Sequence, residues 1–270
     1  MYLPSGSVDT HAHVFEPTLA MESGRRYTPE YSATLESYFS RLDSFGLKHG
    51  VLVQPSFLGT NNDFLVSALL ASGGRCKGVA VVDTGFTAEQ LVQLKKVGVE
   101  GVRLNLFGRA VPPLGEPRWR QILSVVNELN WHVEVHCPWT QLPDVLPQLH
   151  EAGCRVVVDH LGRPDFTEHT DLAQLDYLCD YGRKTPTWVK VSGAYRLWSQ
   201  PDQAGYGAAV GRLISRLGPS RLMWGSDWPH TQHESLTTIS EALLLLTRSV
   251  TDREVLEQIL VRTPQTFFDF

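Results

Sequence analysis

Short apolar runs rich in β-branched residues recur along this chain at intervals of roughly 25 to 35 residues, and no other feature constrains the fold as much. They are Ser7–Val14, Gly50–Gln54, Lys77–Val82, Gly101–Asn105, Trp131–His136, Arg155–Asp159, Thr187–Ser192 and Arg221–Gly225. Continuous rather than alternating apolar runs are expected of parallel strands covered on both faces. Between them lie segments with helical spacing: Tyr31–Phe45, Gln90–Val97, Glu116–Asn130, Leu142–Ala152, Leu172–Tyr181, Ala208–Leu217 and Leu236–Arg248. Tyr31–Phe45 shows the pattern well, with Leu35, Tyr38, Phe39 and Leu42 on one face.

Eight strands alternating with helices predict an α/β fold, a (β/α)8 TIM barrel. The 270 residues suit one such domain spanning 1–270, closed at its bottom by Val250–Phe270. An open doubly wound sheet has the same element order. No Gly-x-Gly-x-x-Gly follows the first run, which weakens a dinucleotide-binding reading.

A net charge of −5 argues against general nucleic-acid binding, which needs a basic face. No apolar run approaches the length of a membrane span. The start of the chain lacks the basic and apolar regions of a secretory leader. Cys76, Cys137, Cys154 and Cys179 lie scattered and form no CxxC pair, as reduced thiols would. The expected setting is cytoplasmic, with no membrane or nucleic-acid partner.

In barrels of this kind the chemistry sits where the strands run out. The first run ends in Asp9-Thr10-His11-Ala12-His13. Side chains two apart on a strand share a face, so both imidazoles turn inward. The sixth ends in Asp159-His160-Leu-Gly-Arg-Pro, and the eighth in Gly225-Ser226-Asp227-Trp-Pro. A lone His can be structural, and a lone Asp can cap a turn. Their convergence on one rim points instead to water activation, with Asp227 as general base and His11, His13 and His160 polarising a carbonyl. His136 ends the fifth run on the inward parity of Glu134. Arg103, Arg109 and Arg196 follow the fourth and seventh runs. An inward guanidinium needs an anion, and its planar fork suits carboxylates. Ser56, after the second run, offers a hydroxyl donor.

The three signatures His11-Ala-His13, Asp-His160-Leu-Gly-Arg-Pro and Trp-Gly-Ser-Asp227-Trp-Pro, in this order, resemble the amidohydrolase superfamily. The match falls in the amidohydrolase-2 branch, which includes 2-pyrone-4,6-dicarboxylate lactonases. The resemblance covers nearly the whole chain and implies a hydrolase of aromatic catabolism that opens a lactone of a small anionic dicarboxylate. It places His11, His13, His160 and Asp227 in catalysis, and Ser56, Arg103, Arg109, His136 and Arg196 on the substrate. Relatives in the branch act on sugar-acid lactones and sulfomuconolactone, and others are zinc-dependent decarboxylases. A barrel that binds a ligand without turnover is the remaining alternative. The lactonases of the branch work without a divalent metal, so none is expected to be required. His136 stands where they carry a tyrosine, which keeps zinc or another divalent ion open, held by His11, His13, His160 and Asp227 with His136.

Overall fold

The computed structural model describes residues 3–199 and 202–270. Its strands are β1 (Val8–Ala12), β2 (His49–Val53), β3 (Cys76–Ala80), β4 (Val99–Asn105), β5 (His132–His136), β6 (Arg155–Val158), β7 (Thr187–Lys190) and β8 (Leu222–Met223). They pair in parallel, in sequence order. Backbone hydrogen bonds return the last to the first: Thr10 N to Trp224 O at 3.0 Å, Asp227 N to His11 O at 2.8 Å and His13 N to Trp228 O at 2.8 Å. The open-sheet alternative is thereby excluded and the (β/α)8 barrel stands.

The covering helices are α1 (Leu35–Phe45), α2 (Asp63–Ala71), α3 (Ala88–Lys96), α4 (Pro117–Glu128), α5 (Leu142–Glu151), α6 (Asp176–Gly182), α7 (Gln203–Leu217) and α8 (Ile239–Ser249). Helix α1 starts four residues later than its apolar spacing suggested, because Thr34 caps it by accepting from Ser37 N at 3.2 Å. Helix α2 has no counterpart among the helical segments read from sequence. Its Asp-Phe-Leu-Val-Ser-Ala-Leu-Leu-Ala is apolar on most sides, so no stripe stands out, and Leu70 is left 65% exposed. No helix among the described residues is long and apolar enough to cross a membrane.

Outward side chains of the strands, such as Val133, Val135, Val156 and Val158, pack with Leu146 and Leu149 of α5 in the main core. Inside the barrel, Val51, Val53, Val79, Val157 and Met223 meet Phe267 and Phe268. Those phenylalanines belong to a C-terminal segment that closes the bottom as expected. It is two short helices rather than one: α9 (Arg253–Glu257) and α10 (Thr263–Phe268), joined by a π turn at Gln258–Arg262. The top is left to the polar residues that end the strands.

Candidate active site

Asp9 fastens β1 to the chain beyond β8. One carboxylate oxygen accepts from His11 N at 3.2 Å and Ser226 N at 2.7 Å; the other accepts from Tyr38 at 3.1 Å and the Ser226 hydroxyl at 2.6 Å. It shares the sequence parity of His11 yet serves this clamp, and the strand register breaks between Asp9 and Ala12. Burial pushes its pKa up to about 6 against those donors. Gly225 makes the close approach possible: a Cβ there would lie 2.5 Å from His11 Cβ. Gly193, at φ +63, does the same for His160, whose Nδ1 would be 2.6 Å from an added Cβ. Asp227 holds φ +60, a left-handed conformation costly for a non-glycine residue and often found at functional sites.

The imidazoles surround Asp227. His11 Nε2 is 3.7 Å and His13 Nε2 3.5 Å from its Oδ1; His160 Nε2 is 3.8 Å from its Oδ2. Oδ2 accepts from Tyr195 and from Arg196 Nε, both at 2.6 Å, while Oδ1 has no hydrogen-bond partner. Burial raises the Asp227 pKa, but Arg196 and the imidazoles outweigh it and hold it well below the usual carboxylate range. Burial lowers the pKa of His160 to about 3 and those of His11 and His136 well below the ordinary value. These three imidazoles are neutral at physiological pH. His13 Nδ1 lies 2.7 Å from Val53 O. A carbonyl only accepts, so Nδ1 carries a proton, and Nε2 faces Asp227.

Beneath the imidazoles lies a buried ionic tier. Arg103 donates to Asp159 Oδ2 from Nε and Nη2 at 3.0 and 2.8 Å and lies 3.4 Å from Glu134 Oε1. Lys190 donates to Glu134 Oε2 and is 3.8 Å from Asp159 Oδ1. Two cations face two carboxylates, all nearly without exposure. Burial, then the charge of Asp159, push Glu134 up to about 7. Burial opposes ionisation of Asp159 as well, but Arg103 leads the interactions that hold it well below the ordinary value.

The cleft above is lined by His13, Ser56, Arg103, His136, His160, Arg196 and Asp227 among the expected residues. His11 is fully buried behind it and is not among the lining residues. Arg109 is exposed and is not among the residues that line the cleft. Arg103 and Arg196 line it but are already paired, with Asp159 and Asp227. The anion that each inward guanidinium requires is a protein carboxylate. His136 stacks on Phe107 at 5.6 Å and meets His160 edge-on at 5.0 Å; neither ring nitrogen has a hydrogen-bond partner.

Arg26, Tyr195, Arg163 and Lys190 were missed. Arg26 is in the long loop after β1 and lines the cleft, with a 3.3 Å bond to Asn105 Oδ1 and its guanidinium 5.3 Å over the Phe107 ring. Arg163 sits over Phe107 and donates to the backbone of Arg196. Lys190 alone carried a sequence signal, a lysine inside an apolar strand on the parity of Ser192. A larger cavity of about 210 Å³ lies behind Tyr195, against Trp198, Tyr206 and Leu236, away from the imidazoles.

Among the described residues, His11, His160 and Asp227 bring ligand atoms within 4.8 Å of one another, a group able to hold a metal ion. His11 Nε2 and Asp227 Oδ1 have no partner, so this donor set fits a divalent cation in position. His13 and His136 fall outside the group. A second group, His11, Glu134 and Asp159, already holds the Lys190 ammonium.

The family model described as Amidohydrolase matches residues 8–270. The 2-pyrone-4,6-dicarboxylate hydrolase of Comamonas testosteroni is 34% identical over 239 residues, 84% of this chain and 78% of that protein. The 4-sulfomuconolactone hydrolase of Hydrogenophaga intermedia is 28% identical, over 98% of this chain and 89% of its own length. A structure from Acinetobacter baumannii, named as a probable 2-pyrone-4,6-dicarboxylic acid hydrolase with citric acid bound, is 42% identical. It superposes with a TM-score of 0.93, covering 98% of this chain and all of that one.

Proposed function

The chain belongs to the amidohydrolase family, and from that premise we propose that it hydrolyses the lactone ring of a small anionic carboxylate, 2-pyrone-4,6-dicarboxylate being the first candidate. One observation carries the reading. A buried, ionised carboxylate has one oxygen clamped and the other free, beside neutral imidazoles in a cleft where Arg26 has no acid partner among the described residues. The similarity to two lactone hydrolases adds to it.

In this mechanism Arg196 and Tyr195 fix Asp227 through Oδ2, and Oδ1 takes the proton of the attacking water. His13, with Nε2 3.5 Å from the same oxygen, borders the water and helps to orient it. His11 and His160 stabilise the charge that grows on the carbonyl oxygen. Asp227 then returns its proton to the departing ring oxygen. Arg26 at the mouth receives a substrate carboxylate, with Ser56 and His136 beside it, and orientation lowers the barrier further. The reading requires no metal, because Arg196 already neutralises Asp227. A divalent cation, when bound, would be held by His11, His160 and Asp227 and would supply Lewis-acid polarisation of the carbonyl.

The test is turnover of 2-pyrone-4,6-dicarboxylate, 4-sulfomuconolactone and an uncharged pyrone, followed by acid release with and without chelator. Hydrolysis of an anionic lactone that survives chelation is expected. Asp227→Asn should lower kcat per folded molecule by about 10²- to 10⁴-fold, with a cooperative unfolding transition retained. Near-native turnover in that variant, or carbon dioxide release in place of ring opening, overturns the reading.

A further inference from the structure

His11 and His13 aim the same ring atom at Asp227 Oδ1, yet their other nitrogens meet opposite chemistry. His13 Nδ1 meets a carbonyl, 2.7 Å away at Val53. His11 Nδ1 points down into the ionic tier. Its nearest neighbour there is Lys190 Nζ at 3.1 Å, in hydrogen-bonding geometry. Asp159 Oδ1 and Glu134 Oε1 stand further off, at 3.4 and 3.5 Å. All four side chains are fully buried.

An ammonium has donors and no acceptor. A neutral imidazole has one N–H and one lone pair, and which nitrogen holds the proton is set by the partner of the other. Lys190 stands nearer than either carboxylate and in hydrogen-bonding geometry, which favours His11 Nδ1 as the acceptor and the proton on Nε2. A carbonyl or carboxylate in that place would do the reverse, as it does behind metal-bound histidines. We propose that Lys190 is a positioning residue that holds His11 as the Nε2–H tautomer. His11 is thereby a hydrogen-bond donor to the substrate carbonyl. It then donates to the oxygen that gains charge.

This inference rests on the proposed lactone hydrolysis for its consequence, but its primary test needs no substrate. Long-range proton–nitrogen correlation on protein labelled with ¹⁵N-histidine distinguishes the two tautomers. The His11 signals are those lost in His11→Asn. The expected pattern is Nε2–H; Nδ1–H in the native protein overturns the proposal. The charge-balanced pair Lys190→Met with Glu134→Leu leaves Asp159 as the polar partner of Nδ1. There His11 should switch to Nδ1–H, and kcat should fall about 10²- to 10³-fold, as for a lost oxyanion donor, with KM within a few-fold. A role confined to stability would shift the unfolding transition and leave the tautomer and the kcat-to-KM split unmoved. An unchanged tautomer in the variant overturns the proposal. Should the variant not fold, the native spectrum decides alone. If no lactone is turned over while the native spectrum shows Nε2–H, the functional reading falls and this one stands.

Discussion

Along the inward row of β5, His132 packs edge-on to Phe267 and Phe268, while Glu134, two residues further on, bonds Lys190. The same change occurs from Val157 to Asp159 after β6, and from Trp188 to Lys190 on β7. These strands cross a boundary inside the barrel, from an apolar lower tier to an ionic upper tier. The lower tier is held by contacts without direction, whose worth scales with area buried. The upper tier is held by few contacts with strict geometry, whose worth depends on every partner being present. A packed tier loses stability in proportion to what is removed. An ionic tier tolerates removal of a balanced pair far better than removal of one member.

The largest stability effect should come from unbalancing the upper tier. Arg103→Met leaves Asp159 without its bidentate partner and sets two buried carboxylates against Lys190 alone. A loss of about 3–5 kcal/mol is expected, read from the urea midpoint. Adding Asp159→Leu removes the pair as a unit and should recover most of it. A single-variant loss below about 1 kcal/mol would mean that this tier behaves like surface charge, and the contrast would be broken.

Next comes the lower tier. Phe268 is 1% exposed among Val51, Val79 and Met223. Phe268→Ala should cost about 3 kcal/mol by transfer and cavity, with kcat per folded molecule within two-fold of native. Denaturant titration and an active-site titration check the two halves. A fall in kcat comparable to that of the Lys190 and Glu134 double variant would show the tiers to be mechanically one.

The two tiers also differ in how far the amino-acid sequence discloses them. All eight strands were legible, because continuous β-branched runs follow from burial on both faces. Helix α2 was not, since an almost uniformly apolar segment carries no period. His11, His160 and Asp227 were legible as residues that end strands. The pairing of Arg103 with Asp159 and of Arg196 with Asp227 was not. Inward parity demands an anion for each guanidinium, but parity cannot say whether that anion is protein or substrate. Arg26 lies in a loop without periodicity, and the proton on His13 is placed by a carbonyl forty residues away. Pattern encodes which face a residue takes; the partner it meets there depends on closure of the barrel.

The smallest expected effect sharpens the contrast at its boundary. His132 is a titratable residue in the apolar tier, fully buried beside Phe267 and Phe268, with neither ring nitrogen hydrogen-bonded. Burial first, then the charge of Lys190, lower its pKa from 6.5 to about 3. The unfolded chain therefore binds a proton in a window where the folded chain does not. Stability rises with pH across that window and is lost as pH falls from 6.5 towards 3. By pH 5 the loss from this residue is about 2 kcal/mol. His132→Leu removes the titration and keeps an apolar side chain among phenylalanines, so it should change stability at pH 7 by less than about 1.5 kcal/mol. Urea midpoints of native and variant protein, taken between pH 7 and pH 5, should draw together or cross as pH falls. Parallel midpoints across that range would mean that Glu134, whose Oε2 lies 3.9 Å from His132 Nε2, keeps the folded imidazole protonated, and the boundary between the tiers would then lie below it.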